Sequence, residues 1–160
     1  MPTLRWTSAV ERALRVAGVA LALQLFAACT QAQGVLGYWS EPTGSVIRVD
    51  RCGPSVCMWI VTVSNVAPAT TDMYNPNPKL RNRSLCGLKI GSGFTLRSPN
   101  DASNGTLYDP KSGRTYHGTI TAKDTRLELR GYIGIPLFGR SQTWKRPDHP
   151  VKNCGAERAK

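Results

Sequence analysis

Histidine is scarce in this chain, and acidic residues are few. His117 and His149 are its two histidines, and 10 acidic residues stand against 21 basic ones. No Cys-x-x-Cys pair occurs, and both histidines lie far from the cysteines in sequence, which leaves zinc poorly supported. A phosphate loop is missing: Gly91-Ser92-Gly93 has neither the remaining spacing nor a helix behind it. Beyond residue 32 there is no long apolar run, so no transmembrane helix is expected there. Nor does that part hold a convincing amphipathic helix.

What is present begins with a leader. Arg5, Arg12 and Arg15 precede residues 16–28, which are apolar apart from Gln24. Those 13 residues are too few for a hydrocarbon core that needs about 20. Small residues follow, ending at Ala32. Charged start, apolar middle and small-residue exit are the layout of a secretory signal, expected to span residues 1–32. Phe26-Ala27-Ala28-Cys29 resembles a lipoprotein box, with a phenylalanine where leucine is usual. Release after Ala32 is the preferred exit, and lipid anchoring through Cys29 the lesser one. An exported, periplasmic product is expected.

Two further features fit that compartment. Three arginines and one glutamate belong to the leader, so the rest of the chain keeps a net charge of +9. That excess favours anionic partners, either a small ligand or an envelope component. The basic residues are scattered, which argues against nucleic acid. Cys52, Cys57, Cys86 and Cys154 then read as disulfides. Cys52 and Cys57 would oppose each other across a hairpin closed by Gly53-Pro54-Ser55-Val56, within reach of a bond. Elimination leaves Cys86 with Cys154.

The body, residues 33–147, reads as strands. Glu41-Pro42-Thr43-Gly44 and Asp109-Pro110-Lys111-Ser112-Gly113 are turns. Residues 45–51 and 58–63 flank the cysteine hairpin. Shorter strands are expected at 87–90, 94–97 and 105–108. Along residues 114–122, Tyr116, Gly118, Ile120 and Ala122 share one face, while Thr115, His117, Thr119 and Thr121 share the other. Residues 67–84 hold three prolines and no periodicity, so they form a loop. About eight strands without helix predict an all-β domain, a closed antiparallel barrel or a sandwich, followed by a basic tail at 148–160. An opening Gly-x-Trp and a last strand bearing an aromatic and arginines resemble the small antiparallel up-and-down barrel of lipocalin-like type, which is the expected fold. A barrel leaves no open edge to aggregate.

The residues also carry a family resemblance. The pieces are Gly37-Tyr38-Trp39, the Cys52–Cys57 hairpin, Asp72-Met73-Tyr74-Asn75-Pro76-Asn77-Pro78 through Arg81, Arg83 and Cys86-Gly87, Leu107-Tyr108-Asp109-Pro110, and Leu129-Arg130-Gly131-Tyr132 through Gly139-Arg140-Ser141-Gln142-Thr143-Trp144. Together they resemble the bacterial exported family called domain of unknown function 2147. The resemblance covers residues 37–146. It implies a calycin-like barrel and export, with no established activity. In lipocalin-type barrels a first-strand tryptophan packs against a late arginine, which here would set Trp39 near Arg146 or Arg140.

No catalytic set is recognisable, which points away from an enzyme, and no cofactor is implied. His117 falls on a wet strand face, and His149 sits in the tail. Asp72 and Asp109 stand in turn-like sequence, where aspartate bonds backbone amides. The last strand offers the best site. Arg140, Gln142, Trp144 and Arg146 share a face by parity. Turned inward, Arg140, Gln142 and Trp144 would meet Tyr116 and Asp72, with Arg81 and Arg83 approaching from the long loop. Buried polar groups need partners, either a ligand or one another. Three readings follow: a ligand-binding barrel, a structural barrel filled by side chains, and a hydrolase or isomerase with an unrecognised site. A roomy lumen favours the first and a packed lumen the second.

Overall fold

The computed structural model describes residues 34–154. The expected signal segment, with Cys29 and both exits, lies outside them, as do residues 155–160. Eight strands close into a meander barrel in chain order. They are β1 (Gly37–Ser40), β2 (Val46–Cys52), β3 (Ser55–Thr62), β4 (Lys89–Ser98), β5 (Asp101–Asp109), β6 (Arg114–Lys123), β7 (Arg126–Tyr132) and β8 (Arg140–Lys145). All pairings are antiparallel, and Ser40 opposite Lys145 completes the ring.

Alternation sets the two faces. On β6, Gly118, Ile120 and Ala122 are buried while Thr115, His117 and Thr121 are exposed. On β7, Leu127 is buried between exposed Arg126 and Glu128. This is period two with one wet side.

Two segments pair further than the sequence suggests. Residues 89–90 of the expected strand at 87–90 and the expected strand at 94–97 are one strand, β4. Gly87 and Leu88 stay in the preceding loop, where Leu88 N donates to Leu85 O. Gly93, at φ +73, absorbs the irregular register between them, a conformation that glycine adopts without strain. β5 begins at Asp101, four residues before the expected 105. Its turn with β4 lies at Pro99-Asn100, and Asn104 takes a positive φ of 62 where the register with β6 slips. Asparagine tolerates that region better than most residues.

One end of the barrel is solid. Trp39, Met58, Phe94, Ile120 and Leu127 are wholly or almost wholly buried there. The Phe94 ring lies on Gly105, where an added Cβ would come within 2.3 Å of it. Gly118 faces Leu107 at 2.5 Å in the same sense. Glycine on two inward positions thus lets one aromatic ring fill the lower lumen. Arg146 closes this end. Its guanidinium sits 3.6 Å from the centre of the Trp39 ring and donates to the carbonyls of Gly34, Leu36 and Tyr38. Trp39 Nε1 donates to Val35 O at 2.8 Å. Burial lowers the Arg146 pKa from its ordinary value.

Disulfides join Cys52 to Cys57 and Cys86 to Cys154. The first pair is not directly opposed as expected. Ser55 and Val56 belong to β3, the turn is Gly53-Pro54, and Cys57 stands opposite Asp50 while Cys52 stands opposite Ser55. The bond therefore runs diagonally across the hairpin, with its Cα atoms 5.8 Å apart. The second ties the tail back to the body. Cys154 N donates to Val61 O, and Thr62 Oγ1 donates to Lys152 O, so the tail is anchored at the end of β3.

Candidate functional site

The other end of the barrel is open. The loops β1–β2, β3–β4, β5–β6 and β7–β8 all emerge there, because an up-and-down meander sends every second connection to the same end. Between them a cavity of about 640 Å³ runs down to the packed half. Ligand pockets commonly measure about 300–1,000 Å³. Ile47, Ile60, Ile90, Leu107 and Leu129 give it apolar walls, and the Trp144 indole joins them from β8. Trp144 Nε1 donates to Gln142 Oε1 at 3.2 Å.

Its rim is polar, with Lys111, Arg114 and Arg140 against Glu41 and Asp109. Arg140 and Gln142 face it from β8, Tyr116 and Arg114 from β6, and Glu41 and Lys111 from two turns. Lys111 Nζ lies 3.2 Å from Glu41 Oε2. The other ion pair among the described residues joins Arg83 to Asp72, so Arg114 and Arg140 have no carboxylate partner there. Two guanidiniums outside any ion pair therefore overlook an apolar well, with Asp109 opposite Arg114 as the nearby carboxylate.

Glu41 is buried and holds its charge. Burial works to raise its pKa, but hydrogen bonds from Thr43 and the nearby Lys111 ammonium prevail, and the carboxyl sits below its ordinary 4.5. A depressed folded pKa means that ionised Glu41 stabilises the fold above about pH 4.5, and that this contribution disappears as pH falls through the folded value. Glu41→Gln should therefore flatten the acid limb of a plot of melting temperature against pH. An unchanged acid limb would show that the carboxylate contributes nothing.

The sequence-expected residues divide into two groups. Arg140, Gln142, Trp144 and Tyr116 line the cavity together. Asp72, Arg81 and Arg83 do not join them; they belong to the long loop between β3 and β4. Asp72 is completely buried, and its carboxylate accepts three hydrogen bonds. These come from the Tyr108 hydroxyl at 2.5 Å, Asn75 Nδ2 at 2.7 Å and Arg83 Nε at 2.8 Å, and a terminal nitrogen of Arg83 completes the ion pair at 2.7 Å. Arg81 Nε donates to Asn75 O and stays exposed. Asp72 thus clasps the loop onto β5. Burial, then the hydrogen bond to Asp72, then the Asp72 charge raise the Tyr108 pKa above its ordinary 10.0.

Tyr108 is the link between the groups, since it lines the cavity and holds Asp72. It ends the expected strand 105–108 and stands inside the Leu107–Pro110 piece of the family resemblance, neither of which marked a site. Arg114 was legible by parity, as it shares the face of Tyr116. Glu41 and Lys111 had no periodic signal, because both lie in turns.

Asp109 reaches the cavity lining but serves its own turn, accepting from Lys111 N and the Ser112 hydroxyl. The histidines lie elsewhere. His117 sits on the outer face, its ring 5.8 Å from that of Tyr132. His149 is exposed, and so is Lys145 on the outer face of β8. Among the described residues no histidine converges with a carboxylate in the cavity, and no cluster suited to a metal gathers.

Comparison with known proteins matches residues 37–146 to the family described as uncharacterized protein conserved in bacteria, DUF2147. The chain belongs to this family. The span takes in every strand and stops just after β8, at the Arg146 that covers Trp39. A solved structure with the same architecture is protein HP1028 from Helicobacter pylori, described as belonging to the lipocalin family. The two are 24% identical, with a TM-score of 0.63 over 71% of this chain and 82% of that one. That likeness establishes a lipocalin-like barrel. No curated protein sequence matches the chain.

Proposed function

We propose that this member of the family is an exported, non-catalytic barrel of the cell envelope that binds a small amphipathic anion. One observation carries the reading: an apolar well of about 640 Å³ whose rim bears Arg114 and Arg140 outside any ion pair among the described residues. An acyl or similar chain would lie against Ile47, Ile60 and Leu129. Its carboxylate or phosphate would meet the two guanidiniums, which hold such groups bidentately. Two disulfides and the basic leader support the exported setting.

Titration with dansylated undecanoic acid, and with its uncharged methyl ester as control, tests the reading. The acid should bind the wild type about tenfold or more tighter than the ester, since a charge-assisted hydrogen bond contributes about 1.5–3 kcal/mol. Arg140→Ala should erase most of that preference and leave ester binding and the melting temperature unchanged. A wild type that binds neither probe, or a variant that keeps the full preference for the acid, would sink the proposal.

A further inference from the structure

The connection between β7 and β8 is unlike an ordinary surface turn. It reads Ile133-Gly134-Ile135-Pro136-Leu137-Phe138-Gly139, and its large apolar side chains are not packed away. Ile133 is 68% exposed, Ile135 55%, Leu137 75% and Phe138 78%. Single exposed apolar residues are normal, but a contiguous group at one tip marks an interaction site. Across the mouth, the β3–β4 loop adds exposed Val66, Met73 and Tyr74.

This tip is a built feature. Pro136–Phe138 form a short 3-10 turn. Arg130 holds it from β7: Nε donates to Pro136 O at 3.0 Å, and a terminal nitrogen donates to the same carbonyl at 2.7 Å and to Leu137 O at 3.3 Å. Gly139 packs so closely that an added Cβ would lie 2.8 Å from Gly131 O. The backbone is satisfied inward, and the apolar side chains are presented outward.

Two more observations narrow the partner. Ile133 and Phe138 also line the cavity mouth, so the tip is continuous with the binding well. Near it stand Arg114 and Arg140, neither held in an ion pair among the described residues, in a chain that keeps a net charge of +9 beyond its leader. An exposed apolar tip beside two arginines suits the headgroup region of an anionic bilayer. There the apolar groups enter the acyl boundary while Lys and Arg meet lipid phosphates.

We infer that the β7–β8 tip docks the open end of the barrel on an anionic lipid surface, with Leu137 and Phe138 inserted. The inference extends the binding reading above, because the well would then open toward the membrane, where amphipathic anions reside. Its test does not need ligand uptake. The full chain is floated with vesicles of equal parts phosphatidylcholine and phosphatidylglycerol, and with vesicles of phosphatidylcholine alone. Binding to the anionic vesicles and little to the neutral ones is expected. The variant Leu137→Ser/Phe138→Ser should lose about tenfold or more in vesicle affinity, given the apolar burial removed. The apolar stretch at residues 16–28 is common to both chains, so their difference reports the tip alone. In F138W, emission should shift to the blue on adding anionic vesicles, beyond any shift of the wild type.

A double variant that floats as the wild type does, or a wild type that floats with neither vesicle, overturns the inference. So does a tip that drives pairing of two copies, seen as a dimer lost in the variant, without flotation. The dansyl-acid titration, run without vesicles, separates the two proposals. Its failure beside intact flotation removes the ligand and leaves the docking; the reverse removes the docking alone.

Discussion

Replacing Cys86 and Cys154 by serine is expected to cost the fold about 4 kcal/mol. The bond closes a segment of 68 residues, and its main effect in the chain-entropy account is to restrict the unfolded chain. The Cys52–Cys57 bond spans a separation of 5 and should contribute only about 2 kcal/mol on the same relation. In a domain of this size, the larger loss corresponds to a fall in melting temperature on the order of 10–20 °C. The tail should loosen as well, because Cys154 N and Lys152 O reach β3 only while the tail lies against it. Calorimetry of the double-serine variant beside the oxidised wild type measures the difference. A drop of no more than a few degrees would show that backbone contacts alone hold the tail, and that the long bond adds little.

Asp72→Ala should be nearly as damaging, at about 3 kcal/mol. The carboxylate is completely buried and binds Tyr108, Asn75 and Arg83. Removing it strands donors that the fold has taken from water, at about 1–3 kcal/mol for each group left unsatisfied. Arg83 is partly exposed and can turn to solvent, so it adds less than the other two. Urea unfolding should show a lower midpoint with little change in slope. Hydrogen exchange should quicken along the long loop, first where Asp72 N bonds Arg83 O and Leu85 N bonds Thr70 O. Unchanged stability with weakened uptake of the dansylated acid would give the opposite picture, in which Asp72 serves a ligand and not the loop.

Those two predictions rest on features that differ in how legible they were. Both cysteine pairs could be expected from the sequence, one by nearness across a hairpin and one by elimination. The expected direct opposition of Cys52 and Cys57 does not occur, because the turn is two residues and not four. Asp72 is harder. Its place in turn-like sequence suggested a role with backbone amides, and the structure gives it side chains instead, one of them from β5 at a separation of 36. The expected gathering of Asp72, Arg81 and Arg83 with the β8 residues does not occur. The loop is clasped through Tyr108, and its arginines are occupied by Asp72 and by Asn75 O.

The β8 face was legible because strand parity is local. Once one residue points inward, so does every second one, and Arg140, Gln142 and Trp144 follow without knowledge of the rest. The same rule held for Tyr116 and would have supplied Arg114. Hairpin details were less legible. The β4–β5 turn at Pro99-Asn100 lies among residues that read as loop, and a bulge at Asn104 hides the alternation on which a strand assignment depends.

From its own periodicity and turn chemistry, the sequence determined an all-β meander, the inward face of its last strands and the local cysteine bridge. Each of these depends on residues close together along the chain. Tertiary structure decided which half of the lumen is filled. Phe94 occupies the lower half because Gly105 and Gly118, on two other strands, leave room for its ring. It also decided that Arg114 and Arg140 overlook the open half outside any ion pair among the described residues, and that Leu137 and Phe138 turn outward. Volume and charge balance depend on side chains contributed by strands far apart in sequence, and only closure of the barrel brings those side chains together.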